Sequence, residues 1–191
     1  TIYPGAEINA KGITGTHTIT SLAYYVTVAP SGGLTNFTLS IGSTALASIT
    51  VQPTDAVSQV YFNAGPTWAT GTWTTLTFST PFLWDGVSNI LVDVCHGADP
   101  YTGTNGRQRT YASSAGSGYI TQDGSGSLCS SLIGTALNTK PQVQLTFGAP
   151  PSCLPPTGLS ASAITTTSAT IGWSATTAAT YNYDVRTSGA A

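Results

Sequence analysis

A chain of 191 residues with a formal net charge of −2 carries 6% charged and 40% hydrophobic residues. Average soluble domains are about a quarter charged, so Thr, Ser, Asn, Gln and Gly must fill most solvent-facing positions here. Five Lys plus Arg are too few to neutralise a run of nucleic-acid phosphates. No segment approaches the roughly 18 to 20 consecutive apolar residues of a membrane span, and none joins a basic start to an apolar stretch and a cleavage site. The chain is expected to be a mature or excised piece of an exported protein, placed outside the cell or on its surface.

The first predicted element is the one helical exception. Gly5-Ala6-Glu7-Ile8-Asn9-Ala10-Lys11-Gly12 combines good helix formers with a final Gly suited to a left-handed cap, which predicts one or two turns. From there the pattern has period 2. Leu22, Tyr24, Val26 and Val28 alternate with Ser21, Ala23, Tyr25 and Thr27. Phe37, Leu39 and Ile41 form the next inward set, Leu76 and Phe78 another, and Val143, Leu145 and Phe147 the last. Ile90-Leu91-Val92-Asp93-Val94 is apolar on nearly both faces and reads as a central strand. Turn signals at Pro30-Ser31-Gly32-Gly33, Gly42-Ser43, Asn63-Ala64-Gly65-Pro66 and Asp85-Gly86 separate these runs. Many short strands at this spacing predict an all-β fold, an antiparallel β-sandwich or barrel.

The stretch 149–156 holds four prolines in eight positions, so neither a helix nor a central strand can cross it. It reads as a semi-rigid linker. Beyond it, strands are predicted at 158–163, 169–174 and 181–186, with Trp173 filling a second sandwich and Tyr181, Tyr183 and Val185 facing it. Residues 1–149 form the first domain, 150–156 the linker and 157–191 the second domain.

Two resemblances follow. Pro156-Thr157-Gly158-Leu159, with Ser168-Ala169-Thr170-Ile171-Gly172-Trp173 and Tyr181-Asn182-Tyr183-Asp184-Val185-Arg186, resembles strands A, B and C of a fibronectin type III domain. About 35 residues are covered, where a complete module of this immunoglobulin-like class takes about 100. Residues 1–149 resemble a jelly-roll-like β-sandwich module found beside such repeats in large secreted surface proteins and hydrolases of bacteria that use type IX secretion. That likeness rests on Ala6-Glu7-Ile8-Asn9-Ala10-Lys11-Gly12-Ile13 leading into Ile19-Thr20-Ser21-Leu22, on Asn36-Phe37-Thr38-Leu39-Ser40-Ile41-Gly42, and on the run from Trp73 to Cys95. It implies an adhesion, scaffold or accessory module and no catalytic role.

Tested for chemistry, the residues offer few constellations. Cys95 and Cys129 are a candidate disulfide; the bridge would close a loop of about 35 residues and contribute roughly 4 kcal/mol if unstrained. Cys153 is left over, either bonded outside the chain or a thiol. His17 and His96 lie in no nucleophile motif, and there is no G-x-S-x-G elbow. Glycosidase chemistry needs two facing carboxylates, whereas Glu7 is the only Glu and has no evident companion. The reading is therefore against an enzyme, with no cofactor expected. Calcium is the one metal to weigh: Asp85, Asn89 and Asp99, with Asp93 between them, are weak candidates that lack the dense spacing of a dedicated loop.

The region from His96 to Ser127 is the candidate ligand-binding segment. Tyr101, Arg107, Arg109, Tyr111 and Tyr119 offer flat faces and directed donors suited to sugars or protein surfaces. Alternatively, 107–111 and 118–121 form a hairpin whose tyrosines line a sheet. Trp68 and Trp73 could make a sugar platform, or Trp73 and Trp84 could close the core around a strand.

The function expected is non-catalytic: an extracellular structural or adhesion module of a secreted or cell-surface protein. The alternatives are a carbohydrate-binding accessory domain of a secreted hydrolase, and a filament subunit completed by strand addition. Three strands cannot bury the core of a second sandwich alone, so the rest is expected from a longer polypeptide or from another subunit. The partners are accordingly neighbouring domains or copies of the chain, with a glycan or surface protein as ligand.

Overall fold

The computed structural model describes residues 1–50, 53–97, 105–119, 135–149 and 157–174. The chain divides into two compact units, Thr1–Ala149 and Pro150–Ala191. In the first, the elements are β1 (Ile2–Tyr3), α1 (Gly5–Asn9), β2 (His17–Val28), β3 (Phe37–Thr44), β4 (Ser58–Asn63), β5 (Thr72–Trp84), β6 (Asn89–Cys95), β7 (Arg107–Gln108), β8 (Thr110–Tyr119), β9 (Thr135–Pro141) and β10 (Val143–Gly148).

The predicted helix forms as a short turn. Pro4, at the N-cap, accepts from the Glu7 and Ile8 amides, and the segment stops where Gly12 takes φ +88°, a left-handed value that L side chains rarely adopt. The strands then build an antiparallel sandwich. One sheet, here sheet A, has the order β1-β6-β3-β4; the other, sheet B, has β10-β2-β5, with β7 pairing β2 beyond β10. The chain crosses between the sheets repeatedly, from β1 to β2, β2 to β3, β4 to β5 and β5 to β6.

Alternation decides what each face does. Ile19, Leu22 and Tyr24 of β2, with Leu76, Phe78 and Trp84 of β5, are buried against Phe37, Leu39 and Ile41 of β3, Val60 of β4, and Ile90 and Val92 of β6. Val143, Leu145 and Phe147 of β10 pack on the same core, in register with Tyr24, Leu22 and Ile19. β6 is central, as its double apolar pattern requires: Leu91 turns away from the main core and joins Ile2 and Ile49 in a small outer cluster. The chain following β3 covers this outer face so closely that a Cβ on Gly42 would clash with the Ala56 carbonyl oxygen.

Trp84 lies fully buried and donates from Nε1 to the Ser88 carbonyl at 2.8 Å. Trp73 does not close the core beside it. It pairs with Tyr25, an outward residue of β2, and so takes the opposite face of sheet B. Trp68 packs against Phe37 with ring centroids 5.2 Å apart, at the border of the core and away from Trp73's face.

The segment 107–119 is not a hairpin folded on itself. β7 and β8 run almost continuously; β7 pairs with β2 and β8 with β9, with Tyr111 opposite Lys140. At the junction the Arg109 amide donates to the Tyr25 carbonyl and the Gln142 amide to the Arg109 carbonyl. There the two strands leave β2 together as a ribbon. Its β8 strand carries extra residues between Ala112 and Ser117, opposite Thr139 and Leu137.

The second unit contains an antiparallel hairpin, β11 (Thr157–Ser162) and β12 (Thr170–Ser174). Thr165 Oγ1 organises the turn by accepting from the Thr167 and Ser168 amides. Leu159, Ile164 and Ile171 are exposed. The Pro-rich linker, Cys153 and the third predicted strand lie outside the described residues.

Candidate functional site

Two arrangements of side chains stand out. The first is the outer face of sheet B, where register stacks three rungs roughly 7 Å apart along the strands. The head rung is Arg109, Tyr25 and Trp73. Next come Gln144, Ala23 and Thr75, then Thr146, Ser21 and Thr77. The central residues are small and nearly inaccessible, Ala23 at 4% and Ser21 at 7% exposure, while Gln144, Thr146, Thr75 and Thr77 stand exposed on either side. The result is a shallow trough with a floor of Cβ and hydroxyl and walls of hydroxyl and amide.

An aromatic group closes the head of the trough. The Arg109 guanidinium carbon lies 3.6 Å from the Tyr25 ring centroid, and Trp73 meets Tyr25 at 5.5 Å with the rings nearly perpendicular. Tyr25 is fixed further by donating to the Gly71 carbonyl at 2.8 Å. Such a stack holds a guanidinium in one orientation while leaving its edge donors for a ligand. Arg107, two residues earlier in β7, falls on the same face by alternation along this nearly continuous run and is exposed. Among the described residues no carboxylate lies on sheet B: Glu7 is in α1, Asp55 and Asp85 are in loops, and Asp93 is in β6.

The second arrangement fastens the ribbon to the opposite sheet. Lys140 of β9 donates to Glu7 Oε2 at 2.6 Å, and the Tyr111 hydroxyl of β8 donates to Glu7 Oε1 at 2.6 Å. The Tyr3 hydroxyl donates to the Pro141 carbonyl at 2.9 Å. Lys140 Nζ also lies 5.4 Å from the Tyr3 ring centroid and 5.1 Å from that of Tyr111. The extra residues of β8 fold over the lysine stem, where a Cβ on Gly116 would stand 3.2 Å from Lys140 Cδ.

Burial pushes the Glu7 carboxyl upward, but the hydrogen bonds from Lys140 and Tyr111 and the Lys140 charge outweigh it, leaving Glu7 below its ordinary range. The same contacts act in reverse on the phenols. Burial and then the bond to Glu7 push Tyr111 up; Tyr3 is raised mainly by burial.

The predicted ligand-binding residues thus separate. Arg109 and Arg107 belong to the trough, while Tyr111 is bonded inside the clasp. Tyr119 ends β8 with its backbone opposite Thr135, and Tyr101 lies outside the described residues. Tyr25 and Lys140 had not been singled out, although alternation already turned Tyr25 away from the core. Glu7, read as lacking a companion, has two partners supplied from distant strands.

The calcium candidates separate too. Asp85 accepts from the Val87 and Ser88 amides at 2.9 and 2.8 Å and from the Ser88 hydroxyl, so it organises a turn. Asn89 accepts from the Gly5 amide and donates to the Leu46 carbonyl. Asp99 lies outside the described residues, as does Cys129, the expected partner of Cys95 at the end of β6. Among the described residues no three His, Cys, Asp or Glu side chains gather as a metal site. No helix among them is long and apolar enough to cross a membrane. No family model matches the chain, and no curated protein or solved structure matches it significantly.

Proposed function

We propose that the chain is a non-catalytic extracellular module serving surface architecture or adhesion within a secreted or cell-surface protein. On this reading its second unit is the start of a fibronectin type III domain, joined to further domains or to other copies, and a type IX pathway exports the parent protein. The observation that carries the reading is the use made of the groups best equipped for chemistry. Glu7, Lys140 and Tyr111 are joined to one another across distant strands, and Asp85 and Asn89 hold turns, as side chains do in a scaffold. An antibody against the module, applied to intact cells of the source organism and to its culture supernatant, tests the placement. Surface or supernatant signal is expected; signal only after lysis overturns the reading.

A second reading, a carbohydrate-binding accessory module, is favoured by Arg109, Tyr25 and Trp73 at the head of the trough. Planar side chains on a sandwich face suit the apolar faces of sugar rings, and the flanking hydroxyl and amide groups suit their hydroxyls. Retention on a glycan array separates the two readings: binding lost on Trp73→Ala supports the second, and no retention leaves the first.

A further inference from the structure

We propose that the trough on sheet B binds an acidic glycan, a chain of sugars bearing carboxylate or sulfate, with Arg109 and Arg107 taking the anionic groups. This rests on the carbohydrate-binding reading and names the ligand class of that same site.

Charge complementarity carries the argument. The two arginines are two of the five basic residues in the chain, Arg107 in β7 and Arg109 at the junction of β7 with β8. Among the described residues, neither is matched by a carboxylate on that sheet. The other cation held in a described contact, Lys140, already has Glu7. Arg109 is held flat over Tyr25 at 3.6 Å, so its edge donors are presented without the freedom of an unstacked side chain. A planar fork of this kind matches a carboxylate bidentately. Along the trough, Gln144, Thr146, Thr75 and Thr77 stand exposed on either side of β2 and offer uncharged donors and acceptors. A carboxylate or sulfate answers the charge of both guanidinium groups, whereas a neutral glycan brings none to them.

The test uses the full chain on an array carrying uronate-rich, sulfated and neutral glycans, followed by titration calorimetry with oligogalacturonate, a sulfated oligosaccharide and a neutral xylo-oligosaccharide. Oligogalacturonate or the sulfated probe is expected to bind, to weaken as salt is raised, and to lose about tenfold or more in affinity on Arg109→Ala. Arg107→Ala, whose side chain is exposed, keeps the test open if Arg109→Ala fails to fold; Lys11→Ala, away from the trough, serves as the charge control. Carboxylated and sulfated arms both support the proposal and tell the two anions apart. Binding confined to the neutral probe overturns the proposal and leaves the carbohydrate reading standing. Retention of no glycan overturns both. Acidic-glycan binding that survives both arginine substitutions overturns the assignment to this trough.

Discussion

Glu7→Gln is expected to destabilise the first unit more than Lys140→Met does, although both break the same bond. Removing one partner of a fully buried ion pair costs about 3–5 kcal/mol because the other charge is stranded; an exposed pair contributes about 0–1 kcal/mol. The Lys140 side chain is 4% exposed and that of Glu7 41%. Glu7→Gln therefore strands a buried ammonium, with loss moderated by solvent on the Glu7 side to roughly 2 kcal/mol. Lys140→Met strands only a carboxylate that water reaches and keeps much of the apolar stem, so about 1 kcal/mol or less is expected. With two-state unfolding the first loss lowers Tm by about 4–8 °C for a domain of this size. Thermal denaturation followed by circular dichroism at neutral pH measures both, and the double variant should be more stable than Glu7→Gln alone. Equal losses from the two single variants, or a double variant no better than Glu7→Gln, would refute the reasoning.

The clasp also sets a pH dependence. Because Glu7 is held below its ordinary value, its contribution is complete above the unfolded carboxyl's pKa of about 4.3 and is lost as pH falls through the folded value; urea midpoints of wild type and Glu7→Gln should converge in acid, and a constant gap down to pH values well below that range would refute this. Gly42→Ala should lower stability by about 1–3 kcal/mol, because its Cβ would clash with the Ala56 carbonyl oxygen; an unchanged Tm would show that the covering segment yields freely. Chymotryptic mapping without reductant, which cuts between Cys129 and Cys153, is expected to give one peptide pair linked through Cys95 and Cys129, and recovery of either as an alkylated thiol refutes the pairing.

The core was legible because its signal is local. Leu22 and Tyr24, Phe37 to Ile41, Leu76 and Phe78 alternate within single strands, and alternation assigns a face without knowing the partner. Ile90 to Val94 revealed a central strand by a different local signal, an apolar run on nearly both faces. The clasp was not legible, since Glu7 and Lys140 are more than a hundred residues apart and come together only because β9 is carried across the sandwich by its pairing with β8. A single Glu in the chain was the available signal, and its rarity indicated no partner. Trp73 was misplaced for an intermediate reason: bulk favours burial, but its parity with Thr75 and Thr77 puts it on the outer face, and parity decides. Arg109 was selected as a donor, yet its use depends on Tyr25, a neighbour supplied by the ribbon leaving β2 at that point.

Low charge bears directly on this architecture. Sheet edges are commonly guarded by charged side chains, Lys above all, that discourage pairing with another chain, and a composition with 6% charged residues leaves few of them. Closure takes their place at two edges. On one side β4 lies beside β5, and the Ser79 hydroxyl of sheet B donates to the Val60 carbonyl of sheet A at 3.1 Å. On the other the ribbon base reaches β1, where Tyr3 meets the Pro141 carbonyl and Lys140 meets Glu7. The ion pair sits where a strand edge would otherwise face solvent, so its role is to hold a closure as well as to contribute energy. That leaves the two arginines on sheet B in a different position from Lys140. Both are exposed, and among the described residues neither has a carboxylate on sheet B, whereas Lys140 is buried against Glu7.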